Sequence, residues 1–411
     1  MTGWRWAHLL RAPHRLAFFL ATLVLVASAT WWAMVQLDRL VGLGLPYVVA
    51  PTLTHAAVMT LGFMPLFFAG FLFTAGPRWL GVEPPQARDV APPLVAQAGG
   101  WMAWLAGAHT HWLVAFAGLL AVAWGLCSVT ARFIRLVMAS PAEDRMHAKA
   151  IATALVVGCA SVAALGVCLP LGEADMGLAF TETALWGFVL VVYVAVAHRM
   201  IPFFTSSAVP MHSAWRPGWV LGLMLGVAAF EALAIWVEMF VTRTGAWMVK
   251  RAVVELAAGG VLAWLAFRWG LVQSLKVRLL AMLHLGFVWL GLGLLLAGVS
   301  HLAEGVVGSV VLPLAWLHAI TMGCLGSLML AMVTRVSCGH SGRSLVADNL
   351  VWALFWTLQA AVLVRIAAAI GAAPVQALLV VAALAWCGVM LAWGARYGSW
   401  WGRPRADGRP G

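Results

Sequence analysis

The chain has 411 residues, of which 64% are hydrophobic and 9% charged, with a formal net charge of +11. Its mean hydropathy is +0.95, whereas a soluble domain carries roughly a quarter charged residues, so a water-solvated globular enzyme is excluded. The basic residues stand in ones and twos at the ends of apolar runs, which marks membrane orientation and not a nucleic-acid surface.

Apolar stretches recur from Leu16 almost to Gly394, leaving residues 1–411 as a single integral membrane domain with basic termini at 1–15 and 396–411. The run from Leu16 to about Val35 has a basic flank and an Ala27-Ser28-Ala29 that resembles a cleavage site. It continues through Trp31, Trp32, Ala33 and Met34 to spanning length, and is read as a retained helix. Breaks at charged and Pro/Gly-rich segments then define twelve spans, near 16–36, 47–74, 91–108, 112–134, 149–170, 176–198, 218–240, 250–269, 278–299, 309–333, 350–371 and 375–395. The third opens at Pro92-Pro93 and is the weakest. The fold class is therefore an all-α polytopic helix bundle in a lipid bilayer.

Loop charge tests the count. One side collects 20 of the 25 Lys and Arg, including both termini, while the other holds Arg39, Arg243, Lys250 and Arg251. By the positive-inside rule both termini are cytoplasmic and the number of spans is even. The six cysteines form no C-x-x-C and no C-x-x-C-H, so neither disulfides nor covalent haem is indicated.

Ionisable residues inside spans mark function by default. His55 and His318 lie about nine residues from the distal ends of the second and tenth spans, or roughly 13 Å deep at 1.5 Å per residue. Each is followed by a methionine at i+4, Met59 and Met322. Either a ligand role or a histidine satisfied by a backbone carbonyl fits. Neutral imidazole is the usual axial ligand of b-type haem and a common copper ligand. His198, His284 and His340 lie toward the basic side as a second candidate metal or haem group. His109, His111 and His301 read as distal-loop residues, and His8, His14, His147 and His212 as surface residues in basic stretches. Glu182, Glu231, Glu238 and Glu255 fall within spans and form a candidate proton path. Arg365, late in the eleventh span, is read either as a partner for a haem propionate or as a salt bridge to one of these glutamates. Tryptophans such as Trp31, Trp79, Trp215 and Trp400 read as interfacial anchors. The glycines between Gly286 and Gly298 and between Gly323 and Gly326 read as sites of close helix approach.

The stretch from His318 to Leu345 contains His318-Ala319-Ile320-Thr321, Thr334-Arg335-Val336-Ser337 and Gly339-His340-Ser341-Gly342-Arg343. It resembles the signature of the NnrS family. Arg199-Met200-Ile201-Pro202-Phe203-Phe204-Thr205 and the segment from Gly62-Phe63 through Gly70 to Ala75, with Pro77 and Trp79, are similar to the family's other motifs in the same order. The resemblance implies a multi-pass protein of the bacterial inner membrane, associated with haem and copper and with nitric oxide tolerance or denitrification. Many members have His-Ala-His-Glu in the second span, where this chain has His55, Ala56, Ala57 and Val58, so a metal site using the second His and the Glu is altered or lost. Cys338 stands where the family usually has an aliphatic residue; a thiolate there would favour Cu(I).

The leading expectation is a haem-binding or haem-copper membrane protein acting on nitric oxide or a derived species. His55 and His318 are the first ligand choice, His284, His198 and His340 the second, with Arg335 and Arg343 as anionic or propionate partners. No quinone or soluble-donor motif is visible, so enzymatic turnover as a nitric-oxide-related oxidoreductase stays open. A secondary transporter using the buried Glu and Arg residues is the alternative, and a haem or copper delivery protein the third reading.

Overall fold

The computed structural model describes residues 3–209, 213–241, 243–371 and 374–409, which among themselves are helical with no strand. A one-turn 3₁₀ segment, Trp6–Arg11, leads into α1 (Pro13–Val41). The next rod is α2 (Pro51–Leu61) and α3 (Met64–Leu80), interrupted at Gly62-Phe63. There follow α4 (Ala87–Gly107), α5 (Trp112–Ala139) and α6 (Met146–Leu171). α7 (Ala174–Ala184) continues through a π-helical turn at Leu185–Leu190 into α8 (Val191–Ala208). Then come α9 (Gly218–Phe240), α10 (Gly245–Arg268), the short α11 (Leu271–Ser274) and α12 (Arg278–Val307). α13 (Ala315–His318) runs through a second π segment, Ala319–Gly326, into α14 (Ser327–His340), and α15 (Asn349–Ala369) and α16 (Val375–Trp401) close the bundle.

Ten of these rods are long and apolar enough to cross a membrane. The two long helices outside that set are α4, which carries Pro92, Pro93 and Asp89, and α10, which carries Lys250, Arg251 and Glu255. Each is clamped to a neighbour by glycine. On α4, a Cβ at Gly100 would stand 2.5 Å from the Gly118 carbonyl of α5, and one at Gly107 would stand 2.2 Å from the Ala115 nitrogen. On α10, Gly245 faces Gly305, and a Cβ at Gly259 would lie 2.9 Å from both the Gly291 carbonyl and Leu295 of α12. Close backbone approach replaces side-chain apolarity as the basis of packing here, as small residues permit between membrane helices.

Both termini lie at one end of the bundle. The Arg5 amide donates to the Gly402 carbonyl at 2.8 Å, His8 Nδ1 donates to the same carbonyl at 2.9 Å, and the Arg15 guanidinium donates to the carbonyls of Trp401 and Arg403. An N–H facing a carbonyl can only donate, so the His8 tautomer follows. The opposite end is called distal below. There Asp38 accepts from the Gly44 and Leu45 amides and from the Tyr47 hydroxyl at 2.9 Å. Burial and the neighbouring Asp38 carboxylate push the Tyr47 phenol, in the connecting loop, up to about 12.

Replacing Gly259 by Val drives a branched side chain into the α12 backbone, and is expected to lower stability by about 1–3 kcal/mol. Denaturant unfolding of the purified variant in detergent measures this; an unchanged midpoint would show that α10 and α12 are not held at glycine distance.

Candidate functional site

At the distal end the sequence's two matched histidines lie in the first turns of their helices. His55 is four residues past Pro51 and His318 three past Ala315, so they stand roughly 6 and 5 Å along their axes at 1.5 Å per residue. They are matched but shallower than expected, because α2 and α13 begin later than 47 and 309. His55 stacks on Trp32, ring centroids 3.8 Å apart and 22° from parallel, and Arg39 lies over the same indole at 5.3 Å. His318 Nδ1 donates to the Leu314 carbonyl at 2.9 Å, which leaves Nε2 of the neutral ring with its lone pair. His55, His318 and Arg365 lie within electrostatic reach of one another. His55 Nδ1 is buried without a hydrogen-bond partner.

Local backbone strain sits beside this group. Leu312 and Leu314 adopt positive φ, 54° and 60°, a conformation that costs a non-glycine residue energy and is held only where surroundings enforce it. The π segment begins at the residue after His318, and Trp316 stacks on Trp186 of the other π turn at 6.2 Å. π segments inside α-helices occur mostly at functional positions.

The glutamates expected inside the membrane do converge, but on a different arginine. Arg251 donates Nη2 to Glu231 at 2.6 Å, Nη1 to Glu238 at 2.5 Å and Nε to Glu255 at 3.0 Å. Arg251 is 5% exposed, Glu231 1% and Glu255 0%. Its planar fork spreads separate donors toward three carboxylates in fixed directions, where an ammonium would gather its three N–H groups on one compact nitrogen. His301 Nδ1 donates to Glu255 at 2.8 Å. Glu182 and Glu238 line, with Arg251 and His301, a cavity of about 390 Å³ at this end. The reading of Arg251 and His301 as loop residues is corrected: α10 begins at Gly245 and α12 continues to Val307, so both lie within helices and both are buried. The proposed Arg365–glutamate salt bridge is likewise replaced by Arg251.

The histidines toward the termini do not form one group. His147 Nε2 and His198 Nδ1 are 3.0 Å apart, and His198 Nε2 donates to the Pro217 carbonyl at 3.1 Å, so His147 is the donor of the pair. His284 Nε2 pairs with the Thr205 hydroxyl at 2.9 Å. His340 packs on His14, ring centroids 4.5 Å apart, at a concavity of about 780 Å³ that Arg11, Arg78 and Arg88 also line. His8, His14 and His147 are buried, not surface residues; His212 lies outside the described residues. His109 is bonded on both ring nitrogens, to Trp31 and to the Pro46 carbonyl, each at 2.6 Å.

The arginine-bearing ends of the three signature motifs meet at this end. Arg199 lies over Trp79 at 4.9 Å, and Arg335 over Phe204 at 3.8 Å. The Thr334 and Ser337 hydroxyls accept from the Trp393 and Trp401 indoles, both at 3.0 Å. Arg343 lies over Trp400 at 4.2 Å. The motif hydroxyls and arginines are thus engaged in fixing helix ends, and several tryptophans read as interfacial anchors are partners for cations. In the second span Ala57 and Val58 are fully buried, so apolar packing occupies the positions where many family members place a histidine and a glutamate. Among the described residues, no three His, Cys, Asp or Glu side chains converge in a manner suited to a metal ion.

A multi-pass helical membrane protein with polar groups gathered at its distal end is the class this architecture defines. The family model described as NnrS protein matches residues 8–405, and the chain belongs to that family. No curated protein and no solved structure matches it.

Removing the cation from the buried carboxylates by Arg251→Ala is expected to cost about 3–5 kcal/mol of stability, with Arg251→Lys recovering only part. Unfolding in detergent tests this; wild-type stability for Arg251→Ala would mean that the carboxylates need no cation.

Proposed function

We propose that the protein is a haem-binding member of its family that acts on nitric oxide or a derived species in the bacterial inner membrane. Counting the glycine-clamped α4 and α10 as crossing together with the ten apolar helices would give the twelve of the charge pattern, and the tied, basic termini support a cytoplasmic location for both.

The observation that carries the haem reading is the chemistry left uncommitted near α2, α13 and α15. His318 Nε2 keeps its lone pair while Nδ1 is fixed on a carbonyl, the arrangement that orients ligating histidines. His55 Nδ1 is buried and unpartnered. Among the described residues Arg365 has neither ion pair nor hydrogen bond, and it suits a propionate through its bidentate fork. Haem needs only one or two protein ligands, and Arg365 beside the two histidines suits its propionates, so the residues favour haem over a separate copper centre. The group, when bound, would supply an iron able to coordinate nitric oxide. The protein's part is to hold it through His55 and His318, neutralise it through Arg365 and flank it with the Trp32 indole. His284, His198, His340, Arg335 and Arg343 are each engaged elsewhere and rank behind these three.

The secondary transporter remains the second reading, favoured by the Arg251 carboxylate cluster facing a distal cavity. Haem delivery without turnover would use the same three residues as the leading reading.

His318→Ala and His55→Ala are expected to shift or abolish the haem absorption of the purified protein. Arg365→Gln is expected to weaken haem retention while leaving the band position in place. Wild-type spectra in both histidine variants would place the ligands elsewhere.

A further inference from the structure

The distal cavity contains more negative than positive charge. Asp175 and Glu182 face it from α7, Glu238 from α9 and Glu304 from α12, against Arg243 and Arg251. Behind Arg251 lie Glu231 and Glu255. Both accept from the one Arg251 guanidinium, Glu231 from Nη2 at 2.6 Å and Glu255 from Nε at 3.0 Å, which brings the two buried carboxylates close together, and neighbouring buried carboxylates disfavour double ionisation, so that one holds a proton. Glu231 is 1% exposed and its Oε1 has no donor among the surrounding groups.

A second feature, independent of the carboxylates, points the same way. His301 is 5% exposed, yet it lines the cavity. Its Nδ1 donates to both oxygens of Glu255, at 2.9 and 2.8 Å. Nε2 of the neutral ring is therefore an acceptor without a partner among the described residues, on a buried side chain facing the cavity. The glycine contacts Gly245–Gly305 and Gly259–Gly291 hold α10 and α12 at the separation that keeps His301 on Glu255.

We infer that His301 is the proton-exchange residue between cavity water and a Glu231–Glu255 pair that shares one proton. A proton from water binds His301 Nε2 as the proton on Nδ1 passes to Glu255, where it is shared with Glu231. In the reverse transfer either proton of the pair returns to Nδ1 while the Nε2 proton leaves to water, which restores the starting tautomer, so a cavity proton is exchanged for the shared one with no net change in the number of protons held. Arg251 stays protonated and positions Glu231, Glu238 and Glu255 through three separate N–H groups. Lys250, the remaining ionisable group near the start of α10, is exposed and outside the cavity. The cavity also includes Leu314, whose carbonyl holds His318, so one residue joins this site to the histidine group on α13.

Infrared spectroscopy of the full-length protein in lipid nanodiscs tests the inference without any haem or nitric oxide, and so separately from the proposed function. The expected wild-type result at neutral pH is a protonated-carboxyl C=O band that shifts in heavy water. Glu231→Gln and Glu255→Gln should each remove it. His301→Gln should keep the band but slow its exchange by about 10²-fold or more, the usual contribution of a positioned acid–base group. His301→Asn serves as a second variant, with near-ultraviolet circular dichroism confirming the fold of each. No such band in the wild type, its survival in both glutamine variants of the pair, or wild-type exchange in the folded His301 variants would overturn the inference.

Discussion

A polar group at membrane depth has no water to bond, so it is satisfied inside the protein or carries a large energetic penalty. Much of this structure follows from that constraint. Helices satisfy their own backbones, hydroxyls such as Thr181 and Thr321 bond carbonyls one turn back, and indoles find Thr334, Ser337 and Gln359. Arg251 draws three glutamates onto one guanidinium. Against that background, an unpartnered ionisable group carries information. Among the described residues, His55 Nδ1, the Arg365 guanidinium, His301 Nε2 and Glu231 Oε1 are such groups toward the distal end, whereas toward the termini His147 Nδ1 is one and Arg145 Nε, Arg343 Nη1 and Arg396 Nε belong to guanidiniums bonded or stacked through their other atoms.

The division between the two ends of the bundle separates architecture from chemistry. The arginine-bearing parts of the family motifs converge near the termini, where Arg199, Arg335 and Arg343 lie over Trp79, Phe204 and Trp400, while the signature's His318 lies at the distal end. These contacts tie α3, α8, α14 and α16 together where weakly hydrated guanidinium groups meet aromatic faces. The distal residues are sparser in sequence, but the two π segments and the strained Leu312 and Leu314 cluster beside them. That strain is compatible with a preorganised site rather than with loosely packed helix ends.

Most of the fold was legible because hydropathy and loop charge are one-dimensional signals. The candidate site was legible only in part. His55 and His318 stood out as isolated imidazoles at matched positions, and the four glutamates as charges within apolar runs. Arg251 was assigned to a loop because Lys250 beside it reads as a span boundary, although Glu255 four residues on places the pair on one helix face. His301 was missed because α12 runs to Val307, well past the point where hydropathy fades. The pairing of His14 with His340 and of His147 with His198 joins residues far apart in sequence, and no periodicity within one helix could show it. The glycine contacts were anticipated on α12, but their role in holding the less apolar α10 depends on which helix lies opposite.

The central claim is that the uncommitted histidines and arginine at the distal end exist to hold a prosthetic group. The most direct measurement is the absorption spectrum and metal content of the wild-type protein, purified in detergent after expression with adequate haem. The account predicts a Soret band with iron in stoichiometric amount, and perturbation of that band on adding nitric oxide. A colourless protein without iron would contradict it.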